Sequence, residues 1–312
     1  MRAAVITEYG GANVMQIVED AVKPEAGEGQ VLVQVHAAAV NPFDIKVREG
    51  VVRQMAELNF PAVLGGDVAG VIAEVGDAVT NFEVGQEVYG VAGALSSHGS
   101  FAEFTPVLAS QLAAKPKTVD MTAAAAIPLV GSSAYQALVD TMQLQAGQKI
   151  LIHGGAGGIG SFAIQLAKQI GAYVATTASA ETTDFVATLG ADEVIDYATT
   201  DFSEKLLDYD AVYDTVGGDT YKKSFIVLKK GGALVSMVEP VDEALAAEYS
   251  ITVTSQFTRT TTARLEKIAN LIDAGAIKIY VDKTFEFDQT AEAMEYVKLG
   301  HPKGKVVINM RG

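Results

Sequence analysis

The chain has 312 residues, which is long enough for two domains of ordinary size. Its 49% hydrophobic and 20% charged residues exclude a disordered or fibrous protein, and no apolar stretch approaches the roughly 20 residues that cross a bilayer. It contains no cysteine, which excludes disulfides and cysteine-bound zinc, and its formal net charge of −15 disfavours nucleic acid and anionic membranes as partners.

The first 115 residues are predicted to be rich in β-strands. The amino terminus alternates like a strand and lacks the apolar core of a signal sequence, so we expect a cytoplasmic protein. Short valine-rich segments divided by glycines follow at 31–35, 68–75 and 86–91. From about residue 122, strands alternate with helical patterns, which predicts a parallel sheet built from βαβ units.

The alternating region begins with a short buried strand at 149–153, followed by apolar residues at helical spacing from Ile159 to Ile170. Further strands are predicted at 173–177, 193–196, 211–216, 233–238 and 251–257, with short helices near 183–189 and 221–228. Six strands with these crossovers predict a doubly wound sheet of the dinucleotide-binding kind. A helix at 265–274 and a strand at 305–310 follow it.

The sequence GAGGIG at 155–160 fits the pattern G-x-G-x-x-G, directly after a predicted strand and at the start of an amphipathic helix. In this pattern the first glycine makes a tight turn, the second lets the backbone approach a pyrophosphate, and the third lets helix and strand pack closely. The alternative is a glycine-rich loop without a ligand. We predict that a dinucleotide binds at the helix N-terminus, against Gly155, Ala156, Gly157, Gly158 and Ile159.

The end of the next strand bears on which dinucleotide binds. An NAD site usually offers an acidic residue there for the ribose 2′-hydroxyl, whereas this chain reads TTASA at 176–180 and has no acid before Glu181. A small turn with the hydroxyls of Thr177 and Ser179 leaves space for a 2′-phosphate, so we expect NADPH. The missing lysine or arginine weakens this expectation, and the threonines are alternatively explained by β propensity.

Phrases along the whole chain resemble the medium-chain dehydrogenase/reductase superfamily. They are NPFD at 41–44, GGDVAG at 65–70, EVG at 74–76, GQEV at 85–88, GSFAEF at 99–104, PLVGSSAYQA at 128–137 and GKVVI at 304–308. The Asn-Pro-x-Asp phrase resembles the zinc-independent quinone oxidoreductase-like, or zeta-crystallin-like, branch. The resemblance implies an α/β fold, with a β-rich GroES-like catalytic domain at 1–122 and 257–312 and a Rossmann NADP(H)-binding domain with a doubly wound parallel sheet at 123–256.

No metal site is expected. Zinc-containing members of the superfamily carry a cysteine where this chain has Asn41-Pro42, and a histidine where it has Gly66. The four histidines, at positions 36, 98, 153 and 301, form no close pair with the spacing of metal ligands. Without a Lewis acid to stabilise an alkoxide, hydride transfer from NADPH to a quinone or to the β-carbon of an enone is favoured over alcohol oxidation.

The resemblance also implies roles for individual residues. Asn41 would lie beside the nicotinamide ribose or polarise a substrate oxygen, the alternative being a turn asparagine that bonds its own backbone. Lys46 is a candidate from its residue type alone, not from the resemblance: its ammonium group can stabilise negative charge or donate a proton, the alternative being a solvated surface lysine. Tyr197 would lie on the 2′-phosphate side and Lys305 would face the pyrophosphate. Pro42 is a further predicted cofactor contact beside Asn41.

Four further positions are predicted to contact the cofactor. Ser133 lies where family members often have a hydroxyl residue, although a helix N-cap is the alternative. Val216-Gly217 and Met237 end two predicted strands, at the sheet edge where ligands bind in open α/β folds.

The combined hypothesis is a zinc-independent, NADPH-dependent reductase of quinones or α,β-unsaturated carbonyls. The resemblance further implies a homodimer, formed through an edge strand such as 233–238. One alternative is an acyl-thioester enoyl reductase of the same architecture. The other is a non-catalytic NADPH-binding protein that acts as a redox sensor or a structural protein.

Overall fold

The computed structural model describes residues 1–93, 95–300 and 302–311. The strands are, in chain order, β1 (Ala3–Ile6), β2 (Met15–Val18), β3 (Gln30–Val40), β4 (Ala62–Val63), β5 (Asp67–Val75), β6 (Glu87–Val91), β7 (Phe104–Leu108), β8 (Leu112–Ala114), β9 (Lys149–Ile152), β10 (Tyr173–Ala178), β11 (Glu193–Asp196), β12 (Tyr209–Asp214), β13 (Leu228–Ser236), β14 (Thr252–Ser255), β15 (Val281–Glu286) and β16 (Lys305–Asn309).

The α-helices are α1 (Pro42–Arg48), α2 (Met121–Ala125), α3 (Pro128–Tyr135), α4 (Gly158–Ile170), α5 (Thr183–Thr188), α6 (Phe202–Lys205), α7 (Gly218–Val227), α8 (Glu243–Tyr249), α9 (Thr262–Asp273) and α10 (Thr290–Leu299). A π-helical segment, Gln136–Thr141, follows α3. Among the described residues, no helix combines the length and the apolar character that a bilayer crossing requires.

The chain forms two units. Unit 1 consists of Met1–Leu129, Thr260–Asp273 and Ile279–Gly312, and unit 2 consists of Val130–Arg259 and Ala274–Lys278. Of the four junctions, those at 129/130 and 259/260 lie a few residues after the predicted domain boundaries at 122/123 and 256/257, and those at 273/274 and 278/279 match no predicted boundary.

Unit 1 is built mainly from antiparallel strands. Its larger sheet has the order β15-β16-β3-β5-β6-β8, with β7 also paired to β3, and a smaller sheet has the order β2-β1-β4. The alternating valines of β3 are buried in the core of the unit, together with Phe285 and Ile308. Because Ala39 pairs with Asp67 and Val40 with Val306, the end of β3 lies beside the starts of β5 and β16.

Unit 2 contains one parallel six-stranded sheet in the order β11-β10-β9-β12-β13-β14. The two halves of this sheet run outward from β9 and β12, which is the doubly wound order of dinucleotide-binding domains. Leu151, Val212 and Leu234 are fully buried at its centre. The predicted fold class is therefore confirmed, and the carboxyl end of β9 leads directly into the glycine motif.

Two sequence expectations for this sheet need correction. The strand predicted at 211–216 ends at Asp214, because its carboxylate accepts the N–H groups of Val216 and Gly217 and turns the chain. The segment 233–238 is not an edge strand, since β13 lies between β12 and β14. The edge strands of this sheet are β14 and, on the opposite side, β11.

A short segment that follows α9, Ala274–Lys278, is part of unit 2 rather than unit 1. Gln165 of α4 holds this segment by two hydrogen bonds. Its Nε2 donates to Lys278 O at 3.0 Å, and its Oε1 accepts from Lys278 N at 2.8 Å. Gln165 is only 9% exposed, so these bonds satisfy an amide that is nearly buried.

Candidate functional site

The glycine motif forms the turn between β9 and α4. A Cβ at Gly155 would lie 2.1 Å from Thr176 Oγ1, and one at Gly160 would lie 2.2 Å from Gly154 O, so packing requires both glycines. Gly157 differs, because it has an ordinary extended conformation and its Cβ would meet Gly154 O only at 3.5 Å. Gly157 thus leaves open space at the N-terminus of α4, where helix N–H groups suit a diphosphate.

The hydroxyl groups at the end of β10 do not all face outward. Thr177 is buried, and its Oγ1 lies 3.1 Å from Gly154 N and 3.2 Å from His153 Nδ1. Ser179 is half-buried, and Tyr197 is 57% exposed with its N–H donated to Ala178 O at 3.2 Å. The structure therefore brings Ser179 and Tyr197 together at this strand end, while the Thr177 hydroxyl points inside unit 2.

The ends of β12 and β13 are joined by two side chains that the sequence analysis missed. The buried Asp214 carboxylate accepts N–H groups from Val216 at 3.0 Å and from Gly217 at 2.9 Å, and it accepts the Ser236 hydroxyl at 2.7 Å. Met237 N donates to Asp214 O at 2.9 Å. The predicted cofactor contacts Val216, Gly217 and Met237 are thus held by one residue, Asp214, the first two by its carboxylate and Met237 by its backbone carbonyl. An acidic residue at the carboxyl end of a parallel strand was the available signal.

Ser133 lies inside α3, so it is not an N-cap. It is buried, and its Oγ lies 2.7 Å from Thr258 Oγ1, while its carbonyl accepts Gln256 Nε2 at 3.0 Å.

Unit 1 contains a buried ionic cluster at the start of α1, which we call the Asp67 cluster: Asn41, Asp44, Asp67 and Lys305. Asn41 Nδ2 donates to Asp67 Oδ2 at 2.9 Å, and Asn41 N donates to Asp44 Oδ2 at 2.7 Å. Lys305 Nζ donates to Asn41 Oδ1, to Val40 O at 3.0 Å and to Asp67 Oδ2 at 3.2 Å. Sequence analysis identified Asn41 and Lys305 but missed Asp67.

The charges of this cluster fix the orientation of the Asn41 amide. An ammonium group only donates and a carboxylate only accepts, so the amide oxygen must face Lys305 and the amide nitrogen must face Asp67. All three ammonium N–H groups of Lys305 have acceptors within unit 1. Lys305, predicted to face a pyrophosphate, is therefore engaged in holding Asn41.

Asp44 is the titratable member of the cluster near neutral pH. Burial raises the pKa of its carboxyl group to about 7, and the charge of Asp67 acts in the same direction. The N–H of Asn41 and the charge of Lys305 oppose this rise in pKa. By contrast, Pro42 and Lys46 are exposed on α1.

Comparison with known proteins relates both units to one family. Residues 27–117 match the alcohol dehydrogenase GroES-like domain, and residues 189–308 match a model described as zinc-binding dehydrogenase. The chain is 38% identical to an NADPH-dependent alkenal/one oxidoreductase of Arabidopsis thaliana, over 99% of this chain and 79% of the relative. It superposes on the quinone oxidoreductase from Coxiella burnetii with a TM-score of 0.93 and 33% identity, covering 100% and 99% of the two chains. The chain belongs to the medium-chain dehydrogenase/reductase superfamily, in its quinone oxidoreductase-like branch.

A further member of this family was solved with a nicotinamide cofactor. The Escherichia coli quinone oxidoreductase complexed with NADPH superposes with a TM-score of 0.89 and 27% identity, covering 99% of this chain and 100% of that one. These similarities confirm the predicted resemblance and the combination of a GroES-like unit with a Rossmann unit.

The name of one matching family model implies zinc, but the residues of this chain do not fit that metal. A catalytic zinc needs three protein ligands, and the described residues contain no group of three or more His, Asp or Glu side chains placed to hold a metal ion. Between Asn41 and Asp67 lies the Lys305 ammonium, a cation of the chain itself. His153 is buried with both ring nitrogens engaged, and His301 lies outside the described residues.

Proposed function

We propose that the chain is an NADPH-dependent reductase of quinones or α,β-unsaturated carbonyls that transfers hydride without zinc. The observation that carries this proposal is the turn at Gly157, which leaves the N-terminus of α4 open for a diphosphate. The activities of the relatives support the rest. One is an NADPH-dependent alkenal/one oxidoreductase, and several solved structures are quinone oxidoreductases, one of them complexed with NADPH.

The residues of unit 2 are proposed to bind and orient the cofactor, which when bound supplies the hydride. The first N–H groups of α4 hold the diphosphate, with Ala156, Gly158 and Ile159 forming its contact surface. The hydroxyls of Ser179 and Tyr197 are the proposed donors to the 2′-phosphate. Further proposed contacts are Ser133, Val216, Gly217 and Met237. The exposed Glu181 opposes the phosphate charge, so we expect only a modest preference for NADPH over NADH.

Asn41 and Lys46 are the proposed catalytic residues of unit 1, with Pro42 as a neighbouring contact. Asn41 Nδ2 carries two protons and donates one to Asp67, so the other is proposed to bind a ligand oxygen. Lys46 is proposed to stabilise the negative charge that develops on the acceptor. It is exposed on the first turns of α1, so its contribution is expected to be smaller than that of Asn41.

We further propose a cytoplasmic homodimer. The strand β14 is the last strand of the unit 2 sheet in the described part of the chain, and an edge strand offers backbone groups to a second copy. Light scattering after size-exclusion chromatography tests the dimer. Proline at Val253 in β14 is expected to give monomers if this edge is used, and a dimer that survives the substitution would exclude the edge.

Steady-state NADPH consumption tests the proposed reaction. We expect turnover with small quinones and enones, and this turnover should survive EDTA. Turnover only with an enoyl thioester would support the alternative enoyl reductase, and tight NADPH binding without any turnover would support a sensor or structural protein. Asn41→Ala is expected to lower kcat at least tenfold, and Lys46→Met less than Asn41→Ala.

Gly157→Val tests where the cofactor binds. The backbone at Gly157 accepts a β-branched residue and the space around its Cβ is open, so the variant should fold. Its side chain would occupy the space proposed for the diphosphate. We expect calorimetry to show a loss of NADPH affinity of about a hundredfold or more, with a smaller loss for Gly157→Ala. Wild-type affinity in folded Gly157→Val would contradict this site.

A further inference from the structure

One residue of β10 accepts hydrogen bonds from the turn between β9 and α4. Thr177, at the end of β10, accepts two consecutive backbone N–H groups of the turn. Gly154 N donates to Thr177 Oγ1 at 3.1 Å, and Gly155 N donates to Thr177 O at 3.0 Å. Gly154 has φ +68°, a left-handed conformation that glycine adopts without steric cost, so the two hydrogen bonds act on an unstrained turn.

The Thr177 hydroxyl is in turn held by the buried side chain of His153. The two ring nitrogens of His153 lie 3.2 Å from Thr177 Oγ1 and 3.0 Å from Ser224 Oγ. Ser224 Oγ lies 2.7 Å from the carbonyl oxygen of Thr220. We call the three side chains of Thr177, His153 and Ser224 the His153 network.

The groups at the two ends of the His153 network, the Thr220 carbonyl and the Gly154 N–H, fix the direction of every hydrogen bond between them. The Thr220 carbonyl only accepts, so the Ser224 hydroxyl donates to it and must accept from His153 Nε2–H. Nδ1 of this neutral tautomer is then an acceptor, and the Thr177 hydroxyl donates to it. Thr177 Oγ1 is left to accept from Gly154 N–H. The hydroxyl proton of Thr177 is therefore donated to His153 Nδ1 and is not available to a ligand.

The environment of the ring keeps it neutral. Burial lowers the pKa of His153 well below its ordinary value, and the charge of Asp214 opposes this only in part. Phe202 packs edge-on against the ring with a centroid distance of 4.6 Å. Since a neutral ring is the only form that accepts from Thr177, the network has one stable arrangement at neutral pH.

We propose that Thr177 is a positioning residue: the His153 network orients its hydroxyl, and Thr177 in turn holds the dinucleotide-binding turn. Thr177 then does not contact the 2′-phosphate. This inference rests on the proposed binding of NADPH at the turn. A contact with the 2′-phosphate would affect only NADPH, whereas the geometry of the turn acts on the diphosphate that NADPH and NADH share. Thr177 is therefore expected to affect both cofactors equally.

The test is the dissociation constant of each cofactor for Thr177→Val and Thr177→Ser, measured by the fluorescence of the reduced nicotinamide. Thr177→Val removes both the donor and the acceptor of the hydroxyl, and we expect about tenfold weaker binding of NADPH and of NADH alike. Thr177→Ser retains the hydroxyl and should bind both within about twofold of the wild type. Ser224→Ala removes the hydroxyl at the other end of the network. It should weaken the binding of NADPH and of NADH by the same factor, and by less than Thr177→Val does.

Thr105→Val is the matched control for a general loss of stability. Thr105 is also a buried threonine, and its hydroxyl donates to His98 O at 2.8 Å in unit 1. This variant should unfold more easily, as Thr177→Val should, but bind both cofactors normally. If Thr177→Val weakens the binding of NADPH but not of NADH, the inference is overturned and a contact between Thr177 and the 2′-phosphate is supported. Normal binding of both cofactors by Thr177→Val would also overturn the inference. Wild-type NADPH affinity in Gly157→Val would instead reject the proposed cofactor site.

Discussion

Each unit buries a cluster of polar side chains beside its candidate site residues, and the two clusters are built differently. In unit 1 the Asp67 cluster is ionic and fixes a side chain, the amide of Asn41. In unit 2 the His153 network is neutral and fixes a backbone turn at Gly154. A charged cluster sets orientation by the sign of its partners, whereas a neutral one sets it by the direction of each hydrogen bond. The two clusters should therefore respond differently to substitution and to pH.

The largest expected effect is the loss of the buried anion in unit 1. Asp67→Asn would leave the Lys305 ammonium buried without its carboxylate, and breaking such a pair typically costs about 3–5 kcal/mol. Denaturant unfolding measures this change. Adding Lys305→Met should recover part of the stability, because the double variant no longer buries an isolated charge. If the double variant is no more stable than Asp67→Asn alone, the pair does not govern the stability of unit 1.

Breaking the neutral network should cost less. Ser224→Ala leaves His153 Nε2–H buried without its acceptor, which typically costs about 1–3 kcal/mol. The same unfolding experiment therefore compares the two clusters directly. A loss for Ser224→Ala as large as that for Asp67→Asn would contradict the distinction between a neutral and an ionic cluster.

The pH dependence of Asp44 should sharpen the contrast. Its folded pKa is raised from 3.8 to about 7, so between these values the folded protein holds a proton that the unfolded chain has released. The stability from this group is present below pH 3.8 and is lost as the pH rises through about 7. From pH 5 to pH 8 the wild type should lose on the order of 2 kcal/mol relative to Asp44→Asn. A difference independent of pH would show that Asp44 is ionised throughout.

His153 should behave with the opposite sign. Its folded pKa lies below the ordinary value of 6.5, so the unfolded chain takes up a proton first as the pH falls. The stability from the neutral ring is present above pH 6.5 and is lost as the pH falls towards the folded pKa. From pH 7.5 to pH 5 the wild type should lose roughly 1–2 kcal/mol relative to His153→Asn. A gain in relative stability over this range would mean that the buried ring is charged.

The smallest expected effect concerns a group that belongs to neither cluster. Tyr197 is exposed, so Tyr197→Phe should leave the free energy of unfolding unchanged. Loss of one hydrogen bond to a phosphate should lower the preference for NADPH over NADH by about two- to tenfold. Ratios of kcat/KM for the two cofactors measure this preference. An unchanged ratio would remove Tyr197 from the 2′-phosphate site, in contrast to Thr177, for which an unchanged ratio is expected.

Sequence patterns predicted the six strands and the doubly wound sheet of unit 2, because each βαβ unit is formed by neighbouring segments of the chain, but they misplaced 233–238 at the sheet edge. The glycine turn was predictable for the same reason, since its motif lies within six residues. The Asp67 cluster was only half predictable, because Lys305 and Asp67 are 238 positions apart and meet through the pairing of β16, β3 and β5. The direction of the Thr177 hydroxyl could not be predicted from the sequence either, since it depends on where His153 and α7 lie in the fold.

Unit 2 is discontinuous along the chain, and two hydrogen bonds between Gln165 and Lys278 connect its second segment, Ala274–Lys278, to α4. An excised fragment covering Val130–Arg259 would lose the segment that satisfies this nearly buried amide, at a cost of about 1–3 kcal/mol. A transplantable nucleotide-binding module would need residues 274–278 rejoined by a linker. The same five residues also offer a split point, where a peptide supplied in trans would report on the integrity of α4.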